Sequence, residues 1–251
     1  MRERDVANEA MNQHLVTRLR AARRPVVLTG AGMSAESGVP TFREAQSGLW
    51  ARFDPMELAT PEAFERHPQR VLDWYAWRRE LVARAKPHAG HRALAHWEAA
   101  NPALWVITQN VDGMHQRAGS HRVVELHGRI DRDRCHHCAA VAEPPAKACA
   151  RCGGPLRPDV VWFGEMLPEQ ALRQAFQAVA EADLVLSVGT STLVQPAASL
   201  PEEALAAGVP VVEINPEATP LSDRVDHWLP GTASAWLPRL VAVVTRESQY
   251  E

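Results

Sequence analysis

The sequence predicts an α/β fold, a doubly wound, Rossmann-like parallel sheet with a smaller helical and cysteine-held module beside it. Three observations carry this. Short continuous apolar runs alternate with helical patterns, one such run ends in Gly-x-Gly, and two Cys-x-x-Cys pairs sit in a stretch too poor in apolar residues to build a core. The 251 residues suffice for one large domain, or a large domain with a smaller insert.

Residues 5 to 24 place Val6, Ala10, Leu15 and Leu19 at helical spacing and stop before Pro25. Pro25 to Thr29 is a continuous apolar run closed by Gly30, the pattern of a strand buried on both faces. Residues 45 to 89, rich in Trp, Arg and Pro, read as helical. Trp105 to Thr108, Leu184 to Val188 and Val209 to Ile214 repeat the strand pattern, the first two after helical segments. Residues 131 to 158 are rich in Cys, Pro and Gly and lack apolar periodicity, so a bound metal would supply their missing stability. The expected division is a large part of about 1–44, 90–130 and 157–251. The small part combines a helical module of about 45–89 with a zinc module of about 131–156. In such sheets ligands bind at the carboxyl ends of the strands.

The charge balance is 27 Lys and Arg against 30 Asp and Glu, so nothing at whole-chain level points to nucleic acid or an acidic membrane. The basic tract Arg18 to Arg24 reads as a solvated helix face. No apolar run approaches the ~20 residues that span a bilayer. Met1 to Asn12 is polar, lacks a signal h-region, and carries Glu3, Asp5 and Glu9, unlike a transit peptide. A cytoplasmic protein is expected. All four cysteines fall in Cys-x-x-Cys pairs, which in a reducing compartment are metal ligands. Cys135 with Cys138, and Cys149 with Cys152, would close a tetrahedral shell around one structural zinc. His136 and His137 are then loop histidines outside a full shell.

Three features carry chemistry by themselves only weakly. The Gly30-Ala31-Gly32 turn suits close approach to a pyrophosphate at a helix start, and equally a plain tight turn. His127 follows the apolar Val123, Val124 and Leu126. A lone histidine is more often structural, yet a strand's carboxyl end and a near-neutral imidazole favour proton transfer. Tyr75 and Arg78, three apart on a helix, can offer a phenol and a guanidinium to one carboxylate. The plain alternative is an amphipathic helix with its aromatics inward and its arginines in water.

Longer strings change the weighting. Gly30-Ala31-Gly32-Met33-Ser34-Ala35-Glu36-Ser37-Gly38-Val39-Pro40-Thr41-Phe42-Arg43 resembles the cofactor loop of the sirtuin family at every signature position. Thr108-Gln109-Asn110-Val111-Asp112, Leu126-His127-Gly128, Phe163-Gly164-Glu165, Gly189-Thr190-Ser191 and Asn215-Pro216 resemble further sirtuin blocks, in the same order, over about residues 20 to 240. The resemblance implies an NAD-dependent protein-lysine deacylase that consumes NAD and yields nicotinamide, free lysine and O-acyl-ADP-ribose. It implies NAD contacts along Gly30, Ala31, Gly32, Ser34, Ala35, Glu36, Ser37, Gly38, Phe42, Arg43 and Trp50. Further contacts would come from Gln109, Asn110, Val111 and Asp112, from Gly189, Thr190 and Ser191, and from Asn215, Pro216, Glu217 and Ala233. His127 would be the general base on a ribose hydroxyl, and Val161, Phe163, Gly164 and Glu165 would meet the substrate.

Tyr75-x-x-Arg78 resembles the marker of the class III sirtuins, which favour succinyl- and malonyl-lysine over acetyl-lysine. Leu58-Ala59-Thr60-Pro61 resembles the same branch, with the small Ala59 widening the acyl pocket. The implied partners are acylated lysines in proteins or peptides, with no specific nucleic acid and no membrane; the oligomeric state is unspecified. A plain deacetylase or a mono-ADP-ribosyltransferase could use the same NAD site. A hydride-transferring Rossmann enzyme is disfavoured by the collinear blocks. A zinc-ribbon module for nucleic acid is disfavoured because Asp131, Asp133 and Glu143 dilute Arg129, Arg132, Arg134 and Lys147.

Overall fold

The computed structural model describes residues 13–39, 53–142 and 146–245. Phe42, Arg43 and Trp50 therefore lie outside the described residues. Helix α1 (Gln13–Ala21) leads into β1 (Pro25–Thr29), whose five residues are all buried. Helices α2 (Pro61–Arg66), α3 (Pro68–Arg84) and α4 (Ala89–Ala100) follow, then β2 (Trp105–Thr108), α5 (Met114–Arg117) and β3 (Val123–Glu125). Three strands come next, β4 (Gly128–Cys135), β5 (Val141–Ala142) and β6 (Leu156–Val160). The chain returns through α6 (Glu169–Ala180), β7 (Leu184–Val188), α7 (Ser199–Ala206), β8 (Val211–Asn215), β9 (His227–Pro230) and α8 (Ala233–Thr245). Among the described residues no helix is long and apolar enough to cross a membrane.

The main sheet has the order β3-β2-β1-β7-β8-β9 and every neighbouring pair is parallel. Side-chain alternation feeds two cores. Val27, Val106 and Leu186 pack on one face with Leu15 and Leu19 of α1, Leu94 and Trp97 of α4, and Leu237 and Leu240 of α8. Val26, Leu28 and Val185 pack on the other with Ala175 and Val179 of α6 and Leu200 and Ala204 of α7. Continuous apolar strands are the consequence of having helices on both faces. Strand β8 begins later than its apolar run: Val209 and Pro210 precede it, the Val209 amide bonding the Ala204 carbonyl, while Asn215 ends it.

Strand order reverses between β1 and β7, which places a crevice at their carboxyl ends. The two loops that leave these strands lie against each other: the Gly30 amide donates to the Val188 carbonyl at 3.0 Å and the Gly32 amide to the Gly189 carbonyl at 2.8 Å. Gly189 has a φ of +58°, and a Cβ there would sit 2.4 Å from the Met33 nitrogen. Gly189→Ala thus meets both a left-handed backbone and a backbone clash. It is expected to cost about 2–4 kcal/mol of stability, read as a lowered urea midpoint; an unchanged midpoint would contradict this packing.

After Gly30 the chain forms two 3-10 turns, Ala31–Met33 and Ala35–Ser37, rather than the regular helix that Gly-x-Gly would open. The Gly38 amide closes the second turn on the Ala35 carbonyl with a φ of +78°, and Pro40 follows, so a helical ladder cannot extend. Any anion here would meet turn amides, not the end of a long helix.

The small sheet is antiparallel, in the order β5-β4-β6. Its apolar side meets the helical module in a third core, where Phe64, Val71, Trp74 and Tyr75 pack with Ile130, Val160 and Trp162. Thr60 caps α2 by accepting the Ala63 amide, and Pro61 takes the first helical position. Ion pairs join this sheet to the main one: Glu125 of β3 pairs with Arg132 at 2.9 Å and Arg129 at 3.5 Å, while Arg132 also pairs within the small sheet with Asp159 of β6 at 3.0 Å.

Candidate active site

A cavity of about 320 Å³ opens at the carboxyl ends of β1, β2 and β3, between the main sheet and the small module. Each wall has a different chemical character. Ser34, Gln109, Asn110, Asp112 and His127 form a polar wall, with Ala31 beside them. Ala59, Val82, Val160, Val161 and Trp162 form an apolar wall, with Tyr75 and Arg78 set among them. Phe163, Gly164, Glu165 and Val194 belong to the rim, where Phe163 and Val194 are exposed.

The position of His127 is fixed by its neighbours on three sides. Leu126, just before it, donates its amide to the Thr108 carbonyl, and the His127 carbonyl accepts the Val161 amide at 3.0 Å. Directly after it Gly128, at φ +76°, lets β4 start so close to β6 that a Cβ would lie 2.1 Å from the Asp159 carbonyl oxygen. His127 Nδ1 lies 2.9 Å from the Gln109 carbonyl oxygen. A carbonyl only accepts, so Nδ1 carries the hydrogen and Nε2 is left as the basic nitrogen. Burial lowers the His127 pKa, a shift that the Gln109 carbonyl partly opposes. The ring is therefore a neutral base at neutral pH.

The polar wall is built as a network. Asn110 donates its side-chain amide to the Gly30 carbonyl at 2.9 Å and to the Ser34 hydroxyl at 3.3 Å. Asp112 accepts the Met114 amide at 2.8 Å, and burial raises its pKa against that bond and one from Ser34. Behind Ser34 lies a pair of tilted histidine rings that the sequence reading passed over. His91 and His115 have ring centroids 5.1 Å apart, His91 sits 3.4 Å from the Ser34 hydroxyl, and His115 bonds Thr29. Burial holds both neutral, with pKa values lowered to about 2 for His91 and about 3 for His115.

The remaining positions expected to contact a cofactor line the sheet's carboxyl edge. Thr190 is buried and its hydroxyl meets Gln109 at 3.3 Å, while Asn215 holds the Thr190 carbonyl at 2.9 Å. Ser191, Pro216 and Glu217 are exposed. Glu36 bonds the hydroxyl and amide of Ser234, so its carboxylate is engaged at the start of α8. Ala233 points into the core, which leaves only its backbone to face a ligand. Neutral amide and hydroxyl donors around closely approaching glycine loops fit a nucleotide with its ribose and phosphates.

Tyr75 and Arg78 both face the cavity from α3, 1% and 9% exposed. The guanidinium lies 5.7 Å from the Trp74 ring centroid and 5.9 Å from that of Tyr75. Burial lowers the Arg78 pKa, which Tyr75 and Asp112 counteract. Glu165 gives one carboxylate oxygen to Arg157 and Arg134 and the other to the Trp162 amide. It lines the cavity as the anchor of that wall.

Away from the cavity, Cys135, Cys138, Cys149 and Cys152 place their sulfurs together, all four within 4.8 Å of one another. Individual separations of 3.4, 3.5 and 3.6 Å are far beyond a disulfide bond and near the ~3.8 Å edge of a tetrahedral zinc thiolate site. The four thiols fit a zinc ion and leave no open position. His136 is turned onto Phe64 at a 5.0 Å centroid distance, outside this shell. Cys135→Ser is expected to lower bound zinc from about one per chain to well below it and to destabilise β4–β6. Metal analysis with thermal melts checks this; full zinc content in the variant would contradict it.

Comparison with known proteins gives a consistent result. A model of the Sir2 family matches residues 30–196. The chain is 53% identical to NAD-dependent protein deacylase 2 of Pyrobaculum aerophilum, over 91% of this chain and 94% of that protein. It is 51% identical to an NAD-dependent protein deacylase of Mycolicibacterium paratuberculosis, over 87% of this chain and 96% of the other. Among solved structures, a Sir2 homologue in complex with NAD aligns with a TM-score of 0.87 at 45% identity, covering 94% of this chain and 95% of that one. A Sir2 complex with a p53 peptide and NAD aligns with a TM-score of 0.77 at 31% identity, covering 95% and 99%.

Proposed function

The chain belongs to the Sir2 family, and from that premise we propose that it removes acyl groups from protein lysines with consumption of NAD, succinyl and malonyl in preference and acetyl as well. One observation carries the reading: a single cavity is lined both by a histidine with a basic Nε2 and by a buried phenol–guanidinium pair. The first is a tool for proton transfer; the second is a receptor for a carboxylate.

When bound, NAD supplies a ribose carbon bearing a leaving group. Residues of the chain do the rest. Gln109, Asn110, Ser34 and Asp112 hold polar groups at the base of the cavity, and Thr190 and Asn215 line the edge where the rest of the nucleotide would lie. His127 Nε2 accepts a proton from a ribose hydroxyl, while its Nδ1 hydrogen stays on Gln109. The apolar wall of Ala59, Val161 and Trp162 excludes water around the lysine chain. Phe163, Gly164 and Val194 at the rim meet the peptide. A zinc ion on Cys135, Cys138, Cys149 and Cys152 would hold the small module together, its four-thiolate shell leaving no position for a reacting group.

The acyl preference follows from Arg78. A buried guanidinium gains more from a carboxylate than from a methyl group, because a charge-assisted bond offsets its lost hydration. The experiment is kcat/KM for one peptide carrying acetyl-, malonyl-, succinyl- or glutaryl-lysine in turn, with NAD. A dicarboxylic chain is expected to exceed acetyl about tenfold or more. An acetyl peptide at the head of the series would contradict the preference.

A further inference from the structure

We propose that Trp162 is a positioning residue for the acyl pocket: its indole N–H, donated to the Tyr75 oxygen, aims the Tyr75 hydroxyl hydrogen at the acyl carboxylate. This rests on the reading of Tyr75 and Arg78 as the carboxylate receptor.

The geometry points to it as follows. Trp162 Nε1 lies 2.9 Å from the Tyr75 hydroxyl oxygen, across 87 residues of sequence. Both side chains are buried, and both line the cavity beside Arg78. An indole N–H only donates, so the Tyr75 oxygen is the acceptor. The Arg78 guanidinium, which also only donates, lies beside the same ring, 5.9 Å from its centroid. A phenol has two acceptor sites and one hydrogen. Neither Trp162 Nε1 nor the Arg78 guanidinium can accept, so the phenol hydrogen is left for a third group, and the cavity is the space in which that group would lie. The indole donor on the oxygen also polarises the O–H and strengthens the bond it makes.

Trp162 cannot turn away from this task. Its ring lies over the Arg157 guanidinium, 3.9 Å from the ring centroid, and tilts against Phe64 at 5.6 Å. Its amide is held by Glu165 at 2.8 Å. Glu165 in turn pairs with Arg157, whose side chain is 2% exposed and also donates to the Val160 carbonyl at 3.0 Å. The next residue ties the segment to the acyl side, the Phe163 amide bonding the Ala59 carbonyl at 2.9 Å. An ion pair away from the acyl chain thus holds the indole, and the indole sets the phenol.

The test uses the full-length zinc-loaded protein. Trp162→Phe keeps an aromatic ring over Arg157 and removes the N–H. The ratio of succinyl to acetyl kcat/KM is expected to fall about three- to ten-fold, the loss appearing in the succinyl KM rather than kcat. Tyr75→Phe should lower the same ratio, and Trp162→Phe added to Tyr75→Phe should lower it no further. Equal losses on both peptides, or additive losses in the double variant, would make Trp162 a packing residue and overturn the inference. If the smaller ring prevents folding, benzothienylalanine at 162 keeps the volume and replaces N–H by sulfur, with the same expected outcomes. Two failures are distinguishable. If the wild type shows no succinyl preference, or Tyr75→Phe leaves it intact, the carboxylate receptor falls and this inference with it. If both hold and the change at 162 leaves the ratio intact, this inference alone falls.

Discussion

His127→Ala is expected to lower deacylation by about 10²- to 10⁴-fold, the usual cost of losing a positioned general base. The loss should lie in the chemical step. His127 touches the fold mainly through its backbone, since the carbonyl holds the Val161 amide and the side chain makes one bond, to the Gln109 carbonyl. Alanine keeps the backbone bond, so melting temperature and NAD affinity should change little. The pH profile gives a second readout. Burial depresses the His127 pKa below its ordinary value of 6.5. The base form therefore persists further on acidification, and the acid limb of kcat/KM should have its midpoint below 6.5. Near-wild-type turnover in the alanine variant, or an acid limb centred above 6.5, would contradict this role.

Arg78→Met is expected to cut succinyl kcat/KM by roughly ten- to more than a hundred-fold, the range set by charge-assisted hydrogen bonds of ~1.5–3 kcal/mol. Methionine keeps an unbranched chain of comparable reach on α3 and removes both the charge and the donors. Acetyl-lysine ends in a methyl group, which the guanidinium cannot pair, so the acetyl value should fall far less. The measurement is kcat/KM on matched acetyl and succinyl peptides for both proteins. A common factor of loss on the two would mean that Arg78 serves α3 packing, and the acyl preference would be withdrawn.

Much of the main sheet was legible because its strands are buried on both faces. Val26, Val27 and Leu28 must all be apolar when helices cover both sides, and no alternation is needed to recognise them. The cysteine cluster was legible for a local reason: each Cys-x-x-Cys hook brings its own two sulfurs together. The Gly-x-Gly turn was legible as a close approach but not in its form, because the partner that demands it is Gly189, over 150 residues away in sequence. The least legible parts are side chains joined only by the tertiary fold. Trp162 stands in an apolar run, Val160-Val161-Trp162-Phe163, and nothing local marks its N–H as bonded to Tyr75. Glu165 read as a substrate contact from its motif, whereas its carboxylate is engaged by Arg157 and Arg134. His91 and His115 carried no signal beyond their type. Their ring contact forms only when α4 and α5 meet.

The central claim is that NAD is consumed for each acyl group removed. The most direct measurement follows nicotinamide and deacylated peptide together, with purified protein, NAD and a succinyl-lysine peptide. The account predicts one nicotinamide released per lysine unmasked, an O-succinyl-ADP-ribose in equal amount, and no NADH. Formation of NADH, or nicotinamide release with the peptide still acylated, would contradict it.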